Sequence, residues 1–304
     1  MYLRHFALRE LPFSITPDPA FFYPHEGVQA ALNTLLVALR GGEGFLKIVG
    51  EVGCGKTLLC RQLLRKLQDE FVTAYIPNPD MGPDDLLMAL ARELDIALVP
   101  PLSRHQVLAS LQERLLQHAA AGRPVLVCID EAQATRLATL ESLRLLSNLE
   151  TEKHKLLQIV LFGQPELDAL LAQPQIRQLL QRITFSEYLG GMRAERVGPY
   201  LAHRLAVAAE DELTDIRVFD DAAARALAQA SRGVPRLVNV LAHKCLLLAY
   251  GENTHRVQAH HVALAAADTP GVQQPGRRWS PARWWRALRA GRAGLQRAAT
   301  GRPL

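Results

Sequence analysis

Eight consecutive residues of the chain fit the phosphate-binding pattern G-x-x-x-x-G-K-[ST] without a mismatch. They are Gly50, Glu51, Val52, Gly53, Cys54, Gly55, Lys56 and Thr57. Glycines let successive backbone N–H groups curl around a phosphate, a lysine places a positive charge at the outer phosphates, and a threonine hydroxyl binds Mg²⁺. The pattern predicts a phosphate-binding loop, with Thr57 as a metal ligand and an anion at the start of the following helix.

The residues on either side of this loop have the periodicity that the motif requires. Phe45–Val49 is a short apolar run that favours a buried strand, and the apolar spacing from Thr57 to Leu67 favours a helix. We include Leu58, in the first turn of that helix, among the predicted nucleotide-binding residues. An ordinary glycine turn is the alternative interpretation, but the order strand, loop and helix favours a phosphate site.

A second group of functional side chains follows the apolar run Val125–Ile129, which predicts another buried strand. The run leads directly into Asp130 and Glu131. Carboxylates at this end of a strand suit hydrolysis, with Asp130 holding Mg²⁺ through water and Glu131 orienting the attacking water. Two acids after a strand are also compatible with a solvated turn. The phosphate loop upstream decides for the hydrolytic interpretation.

Four further polar residues are candidates for contact with nucleotide. Gln164 follows an apolar run and is either a sensor of the γ-phosphate or a cap of the next helix. Arg177 and Arg182 lie near the end of a short predicted helix, where an arginine either reaches a neighbouring subunit's nucleotide or lies on the surface. Arg236 lies on the N-terminal turn of a predicted helix that could close over the nucleotide.

The order of the predicted elements indicates an α/β fold. Strands and helices alternate over residues 28–190, which favours a three-layer αβα parallel sheet domain, and helices alone follow over residues 191–269 as a lid. Residues 1–27 are rich in proline and aromatic side chains, so we expect an ordered wrap on the main domain. Residues 270–304 read as a linker and a basic tail.

Composition places the chain among soluble globular proteins, since its 304 residues are 49% hydrophobic and contain no apolar run of about 20 residues. The N-terminus lacks the pattern of a signal peptide. The four cysteines show no metal-type spacing and fit a reducing compartment, with Cys54 predicted as a packing residue rather than a redox-sensitive one.

The positive net charge comes from the tail. Residues 272–304 hold eight arginines and no acidic residue, and removing these eight charges from the net +5 leaves −3 for the rest of the chain. The body is therefore not predicted to bind nucleic acid. A tail helix from Pro281 that carries Trp284 and Trp285 suits an anionic membrane surface; nucleic acid, an acidic partner or disorder are the alternatives.

The ordered set of motifs resembles the AAA+ ATPases of the ExeA/GspA type, including those of MSHA type IV pilus biogenesis. The blocks that carry the resemblance are Pro17–Pro19, Gly50–Thr57, Ile129–Gln133, Leu143–Thr151, Gly163–Leu167, Gln181–Ile183, His203–Leu205 and Gly233–Asn239. The resemblance implies a P-loop sheet domain with a helical lid, ATP hydrolysis with Mg²⁺, and homo-oligomerisation through shared nucleotide sites.

The same resemblance implies a role for each candidate arginine and for Gln164. Gln164 would be sensor 1, Arg236 sensor 2, and Arg182 the arginine finger. The family's usual run before the isoleucine has an arginine where this chain has Leu180, so the choice between Arg177 and Arg182 stays open.

Two functions from different classes follow from these patterns. The first is an ATPase that assists assembly of a type IV pilus or type II secretion machine, with assembly proteins of the inner membrane as partners. Because the longer relatives' transmembrane and peptidoglycan-binding regions have no counterpart in the sequence, we expect a cytoplasmic protein, peripheral on the inner membrane. The second is a DNA-associated AAA+ protein of the transposition type, which the negative body and the lack of a helix-turn-helix pattern disfavour.

Overall fold

The computed structural model describes residues 2–97, 103–150, 155–210 and 217–272. The chain divides into two compact units, which we call the sheet unit (residues 26–190) and the helical unit (residues 1–25 and 191–304). In the parts of the chain just given, no helix is long and apolar enough to cross a bilayer.

Five strands form the sheet: β1 (Phe45–Val49), β2 (Val72–Ile76), β3 (Val125–Ile129), β4 (Leu157–Gly163) and β5 (Ile183–Tyr188). The helices of the chain, in order, are α1 (Tyr2–His5), α2 (Glu26–Arg40), α3 (Lys56–Leu67), α4 (Pro83–Glu93), α5 (Arg104–Ala120), α6 (Leu137–Leu146), α7 (Glu166–Leu171), α8 (Arg177–Leu180), α9 (Ala194–Ala208), α10 (Asp221–Ser231), α11 (Pro235–Gly251) and α12 (Ala259–Ala267).

The sheet is parallel throughout, with the strand order β2-β3-β4-β1-β5. Every residue of β1, β3 and β4 is buried, as expected for strands covered on both faces. β4 therefore lies between β1, which leads into the phosphate loop, and β3, which leads into the acidic pair. Since parallel strands end at the same edge, the three central strands bring their following residues together.

Helices cover both faces of this sheet. Alternate strand residues such as Phe45, Val127 and Ile159 share one apolar core with α4 to α8. On the other face Cys128 of β3 and Cys60 of α3 are both fully buried. The three-layer αβα architecture and the helical region after it are as predicted from the sequence.

The helical unit has its own core, built from α1 and α9 to α12. Its N-terminal segment is held by the buried Arg204, which donates to the backbone oxygens of Pro12 and Ser14. The guanidinium carbon of Arg204 also lies 4.6 Å from the ring centre of Phe21. This arginine, together with the apolar contacts of the same segment, anchors residues 1–25 within the helical unit.

One sequence prediction needs correction. The N-terminal segment packs in the helical unit's core, through Tyr2, Phe6 and Phe13, rather than as a wrap grouped with the sheet domain. Helix α6 begins at Leu137, directly after Arg136, which takes the extended N-cap conformation. The predicted tail helix lies outside the described residues.

Candidate nucleotide site

The phosphate loop joins β1 to α3 in a conformation that depends on its glycines. Gly53 and Gly55 have φ values of 85° and 97°, in the left-handed region that glycine adopts without strain. At Gly50 a Cβ atom would lie 2.4 Å from the backbone oxygen of Leu189, so only glycine fits beside β5. The N-cap of α3 is Gly55, which has no side chain to cap the helix, so the first backbone N–H groups of α3 suit an anion.

Lys56 is buried against this loop, and its Nζ donates to the backbone oxygens of Gly50 at 2.6 Å and Glu51 at 3.0 Å. Thr57 and Leu58 follow as half-buried residues of the first helical turn. Cys54 is buried, and burial raises the pKa of its thiol, which suits a packing role. An uncapped helix start with a lysine beside it fits the phosphates of a nucleotide.

Asp130 follows the end of β3 and is 3% exposed. Its carboxylate accepts a hydrogen bond from the backbone N–H of Glu131 at 3.0 Å and one from the Tyr75 hydroxyl at 3.3 Å. Burial, and next the charge of Asp130, raise the pKa of Tyr75, which keeps the phenol protonated as a donor. A carboxylate held in this way beside the phosphate loop has the chemistry of a Mg²⁺ ligand.

Glu131 is half-buried and has a φ of 50°, a left-handed conformation that is uncommon for a non-glycine residue. Its Oε2 accepts hydrogen bonds from the side-chain amides of Gln133 at 2.6 Å and Gln164 at 3.0 Å. Burial alone raises the pKa of this carboxyl, but the two amides and the charge of Lys56 outweigh it and lower the pKa below its ordinary value. Glu131 is therefore ionised at neutral pH.

Gln164 lies just beyond β4, between the phosphate loop and the acidic pair. The N-cap of α7 is Pro165 rather than Gln164, and the side chain of Gln164 donates to Glu131. The arrangement favours the sensor interpretation over the capping one.

The candidate arginines have different surroundings. Arg182 is half-buried, and its Nη1 donates to the Ser147 hydroxyl at 2.8 Å and to the Arg144 backbone oxygen at 3.4 Å. Arg177, on α8, is exposed. Arg236 belongs to the helical unit, where it is exposed in the first turn of α11 after Pro235. Their predicted roles remain predictions.

Two residues of this site were not among the sequence candidates. Gln133 is tied to Glu131 and to the backbone of Gln164, and Tyr75 is tied to Asp130 across two strands. Gln133 could have been proposed from its place two residues after the acidic pair. Tyr75 had no local signal, because its role depends on β2 lying next to β3.

The helical unit contains another cluster of ligand-type side chains, formed by Glu252, His260 and His261. Glu252 Oε2 lies 3.2 Å from His260 Nε2 and 3.0 Å from His261 Nε2. His261 Nδ1 accepts the backbone N–H of Gln258, so its Nε2 carries the proton that it donates to Glu252. That nitrogen has no lone pair for a metal, and the cluster is explained as a cap of α12.

The strand order, the phosphate loop between β1 and α3, and the helical region that follows give the fold of AAA+ P-loop proteins. In agreement, residues 39–171 match the family model described as AAA domain. Over 301 residues, 99% of the chain, the sequence is 38% identical to General secretion pathway protein A of Aeromonas hydrophila. The chain spans about half the length of that relative, 53%.

Solved structures with a similar fold come from several AAA+ proteins. Cdc6p of Pyrobaculum aerophilum matches with a TM-score of 0.62 and 18% identity, covering 81% of this chain and 67% of that one. The Drosophila ORC bound to DNA matches with a TM-score of 0.61 and 16% identity, covering 87% of this chain and 65% of that one. The RuvB Holliday junction branch migration motor of Thermotoga maritima matches with a TM-score of 0.52 and 20% identity, covering 81% of this chain and 70% of that one. At these identities the likeness concerns the fold alone.

Proposed function

We propose that the protein is a Mg²⁺-dependent ATPase that assists assembly of a secretion or pilus machine. The observation that carries the ATPase part is the convergence of the phosphate loop, the acidic pair and Gln164 at the ends of three adjacent strands. Each group matches one requirement of phosphoryl transfer to water: charge neutralisation, water orientation and contact with the γ-phosphate.

Each residue has a stated task in this proposal. The N–H groups of residues 50–58 and the Lys56 ammonium bind the phosphates, with Lys56 exchanging its bonds to loop carbonyls for bonds to phosphate oxygens. Thr57 and Asp130 hold Mg²⁺, which neutralises the charge that develops on the phosphate oxygens when bound. Glu131 orients the attacking water, and Gln164 contacts the γ-phosphate.

Oligomerisation belongs to the same proposal, with nucleotide bound at the border between two copies of this chain. Arg177 suits the finger role better than Arg182 on exposure, since Arg182 is already bonded to Ser147 within its own subunit. Arg236, in the helical unit, is proposed as the lid residue that responds to nucleotide.

The client is proposed from the relative, whose name places it in the general secretion pathway. The finer proposal is an MSHA-like type IV pilus machine at the cytoplasmic face of the inner membrane, with residues 277–304 binding anionic lipid.

Deleting these residues should move the protein from the membrane to the soluble fraction, and unchanged partitioning would refute the lipid contact. The DNA-associated alternative is not favoured, because the relative matched over nearly the whole chain is a secretion-pathway protein.

The ATPase proposal is tested with Lys56→Ala and the control Lys66→Ala, which removes an exposed lysine of the same helix. Lys56→Ala should abolish ATP binding in calorimetry and Mg²⁺-dependent phosphate release, because the phosphates lose their nearest cation. Lys66→Ala should behave as wild type. Normal binding by the Lys56 variant would overturn the assignment of the loop.

A further inference from the structure

Gln133 forms hydrogen bonds to two of the proposed catalytic elements at once. Its Nε2 donates to Glu131 Oε2 at 2.6 Å, and its Oε1 accepts the backbone N–H of Gln164 at 3.0 Å. The amide orientation is set chemically, because the backbone N–H of Gln164 can only donate and must face the oxygen. The nitrogen of Gln133 therefore faces the carboxylate.

A third hydrogen bond closes this network into a ring, since Gln164 Nε2 donates to the same Glu131 oxygen at 3.0 Å. Both amides thus occupy Oε2. Among the residues that the structure describes, no donor is bonded to Glu131 Oε1. The ring fixes the orientation of the carboxylate and leaves one oxygen available to accept a proton from water.

The backbone explains why a side chain is needed here. The ladder between β3 and β4 ends at the pair Ile129 and Leu161, and the next N–H of the β3 segment, from Asp130, bonds to β2 instead. Glu131 then turns the chain into the left-handed region. Beyond this point Gln133 takes over the connection between the β3 segment and the end of β4.

We propose that Gln133 is a positioning residue, which holds Glu131 in its catalytic orientation and couples it to the strand end that carries Gln164. The proposal rests on the ATPase function proposed above. Gln133 does not touch the reacting atoms. Its removal affects turnover through Glu131 and leaves the phosphate loop, and hence nucleotide affinity, intact.

The test compares Gln133→Ala, Gln133→Glu and the control Gln117→Ala, which changes an exposed glutamine of α5. Gln133→Glu keeps an acceptor for the Gln164 N–H, but it loses the donor to Glu131 and places a second negative charge beside that carboxylate, so it disrupts the contact with Glu131 specifically. We expect both Gln133 variants to lower kcat about 10- to 100-fold, with KM and analogue affinity within about threefold of wild type. The control should be unchanged.

The melting temperature of each variant is measured together with its kcat, KM and analogue affinity. A kcat equal to or above that of wild type in both Gln133 variants would overturn the proposal, as would a loss of affinity that parallels a loss of stability. If wild type itself releases no phosphate, the ATPase proposal fails. If wild type hydrolyses ATP and both Gln133 variants do so at the same rate, the ATPase proposal stands and the positioning role alone is wrong.

Discussion

Two buried polar side chains of the sheet unit, Lys56 and Asp130, lie just beyond the ends of β1 and β3, whereas two in the helical unit, Arg204 and Asn239, fasten one piece of chain to another. Lys56 and Asp130 are buried where neighbouring strands stop, beside the half-buried Glu131. Arg204 and Asn239 are just as buried, but they bond to the backbone of residues 12–14. The difference teaches that burial of a polar group does not by itself mark a functional site, because the partners of the group decide what it does.

The largest effect is expected at Asp130, the proposed Mg²⁺ ligand of the sheet unit. Asp130→Asn removes a negative charge from the proposed Mg²⁺ site, so Mg²⁺-dependent turnover should fall by about 100-fold or more. Phosphate release over a Mg²⁺ titration measures this change. Glu113→Gln, on the exposed surface of α5, is the control. Turnover of Asp130→Asn close to wild type would remove Asp130 from the site.

A stability effect is expected from the helical unit. Arg204→Ala leaves the Pro12 oxygen without its donor and removes the stacking on Phe21, so the free energy of unfolding should fall by about 3 kcal/mol. Hydrogen exchange followed by mass spectrometry should show the loss in α9 to α12 rather than in β1, β3 and β4. The exposed Arg225→Ala is the control. An equal change in the central strands would contradict the separation of the two roles.

Acidification should also affect the stability of the two units differently. Burial lowers the pKa of His203, His243 and His261 in the helical unit, and that of His118 in the sheet unit. A lowered pKa means that the unfolded chain takes up the proton first. The contribution of these histidines to the free energy of unfolding is thus fully present above about pH 6.5, and it is lost as the pH falls below that value.

Hydrogen exchange at pH 7.5 and pH 5.5, corrected for the intrinsic rate, should therefore show a greater loss of protection in the helical unit than in the sheet unit. His243→Gln, which cannot take up a proton in this range, should reduce the difference. Equal loss in both units would argue that these histidines do not govern the pH dependence.

The smallest effect is expected at Tyr75. Tyr75→Phe removes one hydrogen bond to Asp130 and leaves the other, from the Glu131 backbone, in place. The loss of about 1 kcal/mol should raise the Mg²⁺ concentration needed for half-maximal turnover by less than about tenfold. A Mg²⁺ titration checks it, and a complete loss of turnover would mean that Tyr75 has a larger part in the site.

Local patterns in the sequence were sufficient for two of the central strands. Continuous apolar runs predicted β1 and β3 with their observed bounds, and the glycine spacing predicted the loop before α3. Hydrogen bonds across strands were harder to foresee, since Gln133 meets Gln164 only because β4 lies beside β3. The N-terminal segment was assigned to the other unit, because its apolar residues do not reveal which core they fill.

The same contrast explains why Arg204 was not singled out. A lone arginine within a helical pattern looks like a surface residue, and its burial depends on carbonyl groups and an aromatic ring that are contributed by distant residues. Lys56 was recognisable because it belongs to a motif of consecutive residues, Gly50–Thr57.

The most direct test of the central claim, that the ends of β1, β3 and β4 form a hydrolytic site, is Glu131→Gln. Binding of ATP and Mg²⁺-dependent phosphate release are measured on the same preparation. The glutamine keeps the shape of Glu131 but cannot act as a base, so binding should match wild type while turnover falls by at least about 100-fold. Hydrolysis at the wild-type rate would contradict the account.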